Sequence, residues 1–344
     1  MSVTDPRILK EDRDLHPFLF MGCWNRKGAG RDAVLAAIKK DSVPLLVLGG
    51  DNAYPDKTNS GGKRYILADV MSGLDGLPKD REVYVGIGNH NIDKWAVTNS
   101  THSIYEIEQE YPDWNLPYNY YCVLFEDKRA LIFLDTNLFK RGGNISGMLH
   151  WFKTTLQHTI KRNGYKYYII QHDPFFSIKS PKSGKTIPRK THLSDSHRIL
   201  DTVIDADCLP IAILCADTHN YQEWDLDYKG HVFHQVVVGT GGAKPDPVPG
   251  LQHLRFNTPF VPGDDLFERI HLVEGTPFSS LTFTTPASSR ERVQGYGYYR
   301  LFDDRSHLFR LVQKWPGGLN MSRSKSRSHP SKTRRASRLG SGVA

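Results

Sequence analysis

The sequence predicts an α/β fold in which parallel βαβ units carry antiparallel strand pairs at their edges. Three observations point there. Short apolar runs alternate with amphipathic stretches, some apolar runs come in adjacent pairs, and five of the runs end in a polar cluster. Phe18 to Met21 reads as a strand, and Gly30 to Lys40 as a helix with Val34, Leu35 and Ile38 on one face. Leu45 to Leu48 is expected as a buried strand, Tyr65 to Leu74 as a helix and Glu82 to Ile87 as a strand. Tyr120 to Phe125 and Ala130 to Leu134 form an expected hairpin turned at Glu126-Asp127. Leu149 to Ile160 is helical by its period; Tyr167 to Ile170, Ile211 to Cys215 and Val232 to Val238 read as strands.

Composition and charge divide the 344 residues into three parts. Residues 1–16 are polar and read as an N-terminal arm on the surface; 17–320 form the folded domain; 321–344 are rich in Ser, Arg and Lys. That last segment lacks hydrophobic periodicity and is expected to be disordered, because it buries too little apolar surface to offset ordering. Its Arg323, Lys325, Arg327, Lys332, Arg334, Arg335 and Arg338 account for all but one of the eight net positive charges of the chain. Such a tail binds polyanions, nucleic acid among them, by counterion release and without sequence preference. Arg334-Arg335-Ala336-Ser337 has the look of a basophilic kinase site, where phosphate would weaken that binding.

No run approaches the length of a membrane span, and Met1 to Lys10 contains no apolar signal region. The expectation is a non-secreted, intracellular chain with no membrane partner, cytoplasmic or, through its basic tail, nuclear. Four cysteines (Cys23, Cys122, Cys208, Cys215) are too few for a disulfide scaffold and suit a reducing compartment. The stretch from Lys179 to His192 holds five Lys and Arg and reads as an exposed loop, bordering a phosphate site or simply solvated. Its Gly184-Lys185-Thr186 is not a P-loop, since Lys179 stands where the first glycine is required.

The chemistry is concentrated at the carboxyl ends of the strands. Gly22-Cys23-Trp24-Asn25 follows the first apolar run, Gly50-Asp51-Asn52-Ala53-Tyr54 the second, Gly88-Asn89-His90 the third, His172-Asp173 the fourth and Ala216-Asp217-Thr218-His219-Asn220 the fifth. In an open α/β sheet this edge is the ligand crevice. Each cluster alone also serves as a turn, a cap or a hydrogen-bonded structural histidine. Together they are oxygen and nitrogen donors suited to divalent metals.

In this ordered set the chain resembles the calcineurin-like metallophosphoesterases, in particular the purple (tartrate-resistant type) acid phosphatases. Gly50-Asp51-Asn52-Ala53-Tyr54, Gly88-Asn89-His90 and His172 match that pattern as they stand. Cys215 to Gln222 is similar to the family's Cys-Gly-His-Asp-His-Asn-Leu-Gln segment, and the likeness runs over about residues 17–315. The resemblance implies a four-layer sandwich of two mixed β-sheets flanked by helices. It also implies hydrolysis of phosphomonoesters by attack of a metal-bound hydroxide at a dinuclear site of Fe, Zn or Mn. Asp51 would bridge the metals, Tyr54 and His219 would serve the first, and Asn89 and His172 the second. His90, with Asn89, would face the phosphate, His90 as stabiliser or proton donor.

Two ligand positions depart from the family pattern. Cys23 stands where the first motif has aspartate, and Asp217 where the last motif has its first histidine. Both replacements are themselves metal ligands, a soft thiolate and a hard carboxylate. The alternatives left open are a catalytically impaired scaffold or packaging protein using its basic tail, and a phosphodiesterase or nuclease.

Overall fold

The computed structural model describes residues 5–57, 63–92, 97–98, 103–179, 189–190, 195–246, 259–260, 277–285 and 295–314. Most of the basic loop and the whole of the tail from 321 lie outside these residues.

Two mixed sheets lie face to face. The five-stranded sheet has the order His307–Lys314, Gly295–Leu301, Phe18–Met21, Leu45–Leu48, Glu82–Val85. Its last three strands are parallel, with Phe18 opposite Leu45 and Leu45 opposite Glu82. The nine-stranded sheet runs Ile8–Lys10, Tyr121–Leu124, Arg129–Leu134, Lys166–Gln171, Ala212–Cys215, His231–Val238, Tyr221–Tyr228, Ser280–Phe283, Pro259–Phe260. Its centre, from Arg129–Leu134 through Lys166–Gln171 and Ala212–Cys215 to His231–Val238, is parallel.

Period-two alternation assigns the faces. Leu131, Phe133, Tyr168 and Ile170 join the core between the sheets, whereas Ala130, Ile132, Leu134, Tyr167 and Ile169 join a second core. That second core also takes Met148, Trp151 and Phe152 of the helix Ile145–Thr155 and Ile199, Leu200 and Val203 of the helix Arg198–Asp205. Aromatic rings join the sheets: Phe18 meets Tyr168 edge-on at 5.5 Å, and Tyr221 stacks on Phe309 at 4.2 Å. On the far side of the five-stranded sheet, the helix Ala29–Lys39 buries Val34, Leu35 and Ile38, the face expected from its period. Helices therefore flank both sheets, giving four layers.

The sequence reading needs three adjustments. Ile8–Lys10, expected within a surface arm, adds to the edge of the large sheet by pairing in parallel with Cys122–Leu124. The stretch expected as a helix from Tyr65 begins as the strand Lys63–Ile66, and the helix runs Leu67–Leu74. Tyr221–Tyr228 is an antiparallel strand directly after the last polar cluster, pairing along its whole length with His231–Val238. Among the described residues no helix is long and apolar enough to cross a membrane.

Candidate metal centre

The strand ends deliver their polar clusters to one place because the hydrogen-bond ladder continues past the strands. Gly22 N donates to Val238 O (2.9 Å), Gly49 N to Met21 O (2.8 Å), Gly86 N to Leu48 O (2.7 Å) and Ala216 N to His172 O (2.9 Å). Cys23 N then donates to Gly50 O at 2.9 Å, so the first two loops are fastened to each other. The chain turns sharply at Cys23, Asp51 and Asp217, non-glycine residues with φ of 52°, 55° and 43°. Left-handed backbone at such residues is sparsely populated and gathers at functional sites. Gly88 is needed for close approach, since a Cβ there would collide with Asp51 N and Oδ1.

Asp51 is the hub, 2 % exposed. Its Oδ2 accepts from the Tyr54 hydroxyl at 3.0 Å and lies 3.8 Å from Cys23 Sγ. The same hydroxyl lies 3.3 Å from His219 Nε2. Its Oδ1 lies 3.3 Å from His172 Nε2 and accepts from the His90 backbone N–H at 2.9 Å. Beyond His172, Asp217 Oδ1 is 3.9 Å from the same Nε2. The donors thus fall into two groups: Cys23 and Tyr54 at one oxygen of Asp51, with His219 beside the Tyr54 hydroxyl, and His172 at the other, with Asn89 and Asp217 beside its Nε2. Cys23, Asp51 and His172 each offer a ligand atom within 4.8 Å of one another.

Both histidines are held with Nε2 inward. His172 Nδ1 is bonded to Gly49 O (2.8 Å) and His219 Nδ1 to Lys244 O (3.0 Å), the backing that fixes tautomer and orientation of metal-binding imidazoles. With Nδ1 donating, His172 Nε2 turns a lone pair toward the Asp51 carboxylate, and a proton or a cation must lie between them. The Asn89 amide repeats this pattern: the atom facing the centre is 3.2 Å from Asp217 Oδ1 and 3.3 Å from His172 Nε2. As nitrogen it donates to both; as oxygen it joins a convergence of lone pairs that only a cation would hold.

Burial resists charge at this centre, but the neighbours prevail. His172 and His90 hold the Asp51 carboxyl well below its ordinary value despite its desolvation. Burial likewise opposes protonation of His172, yet Asp51, Asp173 and Asp217 push it up to about 9. Burial, with Asp51 and Cys23 adding to it, pushes the Tyr54 phenol well up. Asn89, His90, Asp217 and His219 are only partly buried and form the open side, while Cys23, Tyr54, Asp51 and His172 form the floor. The His90 ring rests against Tyr54 with centroids 4.7 Å apart.

The sequence matches no known family and no curated protein. Among solved structures, the chain is similar to a purple acid phosphatase from yellow lupin (Lupinus luteus) seeds. That likeness has a TM-score of 0.55 at 12% identity and covers 88% of this chain and 52% of that one. The fold is metallophosphoesterase-like. The chain spans about half the length of the lupin phosphatase, 52%, and at 12% identity the likeness concerns architecture alone. PhoD aligns with a TM-score of 0.48 at 12% identity, covering 83% of this chain and 63% of that one. GAP50, the anchor in the inner membrane complex of Plasmodium, aligns at 0.43 and 11% identity, over 89% of this chain and 91% of that one.

All eight residues singled out in the body of this metallophosphoesterase-like fold (Cys23, Asp51, Tyr54, Asn89, His90, His172, Asp217 and His219) lie in this one cluster. The tail cations from Arg323 to Arg338 lie outside the described residues, as does the basic loop apart from Ile178–Lys179 and Arg189–Lys190, which pair as short strands. Sequence reasoning missed the support behind the cluster. Asn91 Oδ1 accepts from Asp51 N (3.0 Å) and Gly88 N (2.7 Å), and its amide nitrogen donates to the fully buried Glu108. The available signal was Glu108 four residues after Ile104 on the buried face of the helix Ile104–Gln109, a carboxyl where an apolar residue belongs. Asp173, the residue after His172, is likewise held by Thr136 Oγ1 (2.6 Å) and Lys140.

Proposed function

We propose that this protein is a metal-dependent phosphoesterase acting on phosphomonoesters at a dinuclear centre. One observation carries the reading: the two oxygens of Asp51 face different ligand-type side chains, Cys23 and Tyr54 at one and His172 at the other. The donor set fits two cations. Asp51 would bridge them, with Cys23, Tyr54 and His219 holding one and Asn89, His172 and Asp217 the other. A cysteine thiolate on the first side favours zinc or iron, and the Asp217 carboxylate on the second favours manganese or magnesium. Cys23 and Asp217 are thus read as altered ligands rather than lost ones.

Cations bound there supply positive charge to the phosphoryl oxygens and make water acidic enough to yield a nucleophile near neutral pH. The chain's own residues do the rest. Asn89 and His90, on the open side, bind the phosphoryl oxygens, and the His90 imidazole donates a proton to the leaving oxygen. Its backbone bond to Asp51 and its ring contact with Tyr54 hold it for that task. Asn91 fixes the loop carrying Asp51 against the loop carrying His90.

The test reloads metal-stripped protein with Mn, Zn or Fe and assays an aryl phosphate and an aryl phosphodiester. Metal content is measured in parallel for the native chain, Cys23→Ser and Asp217→Ala. Metal-dependent turnover of the monoester, with metal lost in both variants, is expected. No turnover under any metal, with metal content equal in all three proteins, would sink the proposal and leave a scaffold. Turnover of the diester alone would move the substrate class.

A further inference from the structure

At the end of the parallel strands remote from Asp51 lies a second group of donors. There a small cleft of about 60 Å³ opens between the sheets, with Ile211, Val236 and Leu301 among its apolar walls and His234 and His307 on its lining. Leu301 pairs with Phe18, the first residue of the strand that leads to Cys23, so the cleft and the metal centre occupy opposite ends of that strand.

Glu223 stands beside these histidines with its side chain only 3 % exposed. Its Oε1 accepts from the Tyr221 hydroxyl. Its Oε2 faces His234 Nε2 at 4.0 Å and His307 Nε2 at 3.6 Å. Both separations are too long for hydrogen bonds. They are close to the ligand–ligand edge of a tetrahedral zinc shell, about 3.4 Å for bonds near 2.1 Å. The remaining nitrogen of His234, Nδ1, is bonded to Asp225 Oδ1 at 2.8 Å, the carboxylate backing typical of metal-binding imidazoles. With Nδ1 donating, His234 Nε2 faces the Glu223 carboxylate across a gap that a proton or a cation must fill. The His234 and His307 rings lie 30° from parallel with centres 6.3 Å apart. Closing them on one ion requires the two rings to draw together. His307, about a third exposed at the start of the edge strand His307–Lys314, has room for that swing.

We propose that Glu223, His234 and His307 form a mononuclear site for a zinc-like divalent metal, independent of the centre around Asp51, with its open coordination position facing the cleft. The test titrates metal-stripped full-length protein with zinc and with cobalt(II), alongside His307→Ala, Asp225→Asn and Cys23→Ser. His307→Ala is expected to bind one ion fewer than the native chain. The missing cobalt spectrum should show ligand-field bands without thiolate charge transfer, and Cys23→Ser should retain it. Asp225→Asn should weaken that component about 10–100-fold. Equal stoichiometry in the native chain and His307→Ala overturns the proposal. So does a proton on His234, read by NMR, that saturating zinc fails to displace, because a proton bridge would then fill the gap.

Discussion

Asp51→Asn is expected to lower metal-dependent phosphomonoester turnover by about 10³-fold or more while the chain stays folded. Loss of one electrostatic stabiliser of a transition state lowers kcat by about 10²–10³-fold, and this carboxylate serves two ligand groups at once. Asn is neutral and keeps a single acceptor oxygen, so both sides lose the anion and, whichever way it turns, the Tyr54 side or the His172 side also loses its acceptor. The His90 backbone N–H, 2.9 Å from Oδ1, loses its charged acceptor as well. His90→Ala makes the informative contrast: metal content unchanged and kcat reduced by about 10²–10⁴-fold, the range of a general acid. Steady-state kinetics with elemental analysis separates the two. An Asp51→Asn protein with native metal content and less than a tenfold loss would remove Asp51 from its bridging role.

Glu108→Gln should abolish a large pH dependence of stability. Burial pushes the Glu108 carboxyl from 4.5 up to about 8, although Asn91 hydrogen-bonds to it. Between those values the folded chain keeps a proton that the unfolded chain has released. Its contribution to stability is therefore whole below about pH 4.5, declines across the interval and is gone above about pH 8. The difference at alkaline pH is on the order of a few kcal/mol. Gln preserves the acceptor for Asn91 and carries no charge. Denaturant unfolding at pH 5 and pH 9 should show the native protein weakening and the variant less affected by that amount. The same slope in both proteins would mean that Glu108 is already ionised, or solvated, in the folded state.

The centre was more legible in the sequence than its support. Asp51, Asn89, His172 and His219 each stand within a few residues of the end of an apolar run, and a parallel sheet collects such positions at one edge. Cys23 and Asp217 could be placed the same way. Asn91 and Glu108 act through the backbone of the Asp51 and Gly88 loops, and neither carries a strand-end signal. The division of the strands between two sheets was hidden for another reason. Phe18–Met21 and Lys166–Gln171 are both almost wholly buried, so burial alone cannot tell which sheet receives them. Tyr221–Tyr228 alternates as a strand should at Trp224, Leu226 and Tyr228, but its buried Gln222 and Glu223 blur the pattern. Ile8–Lys10 is too short to carry a period.

Cys23, Asp51 and Asn89 hang from the smaller sheet, and His172, Asp217 and His219 from the larger. The cluster therefore straddles a seam, and its reach is set by how far apart two separately built slabs are held. Bulk in the aromatic filling, at Phe18 and Tyr168 or at Tyr221 and Phe309, acts as the spacer for that gap. Trimming a ring far from any ligand would retune the clamp as surely as altering a side chain within it.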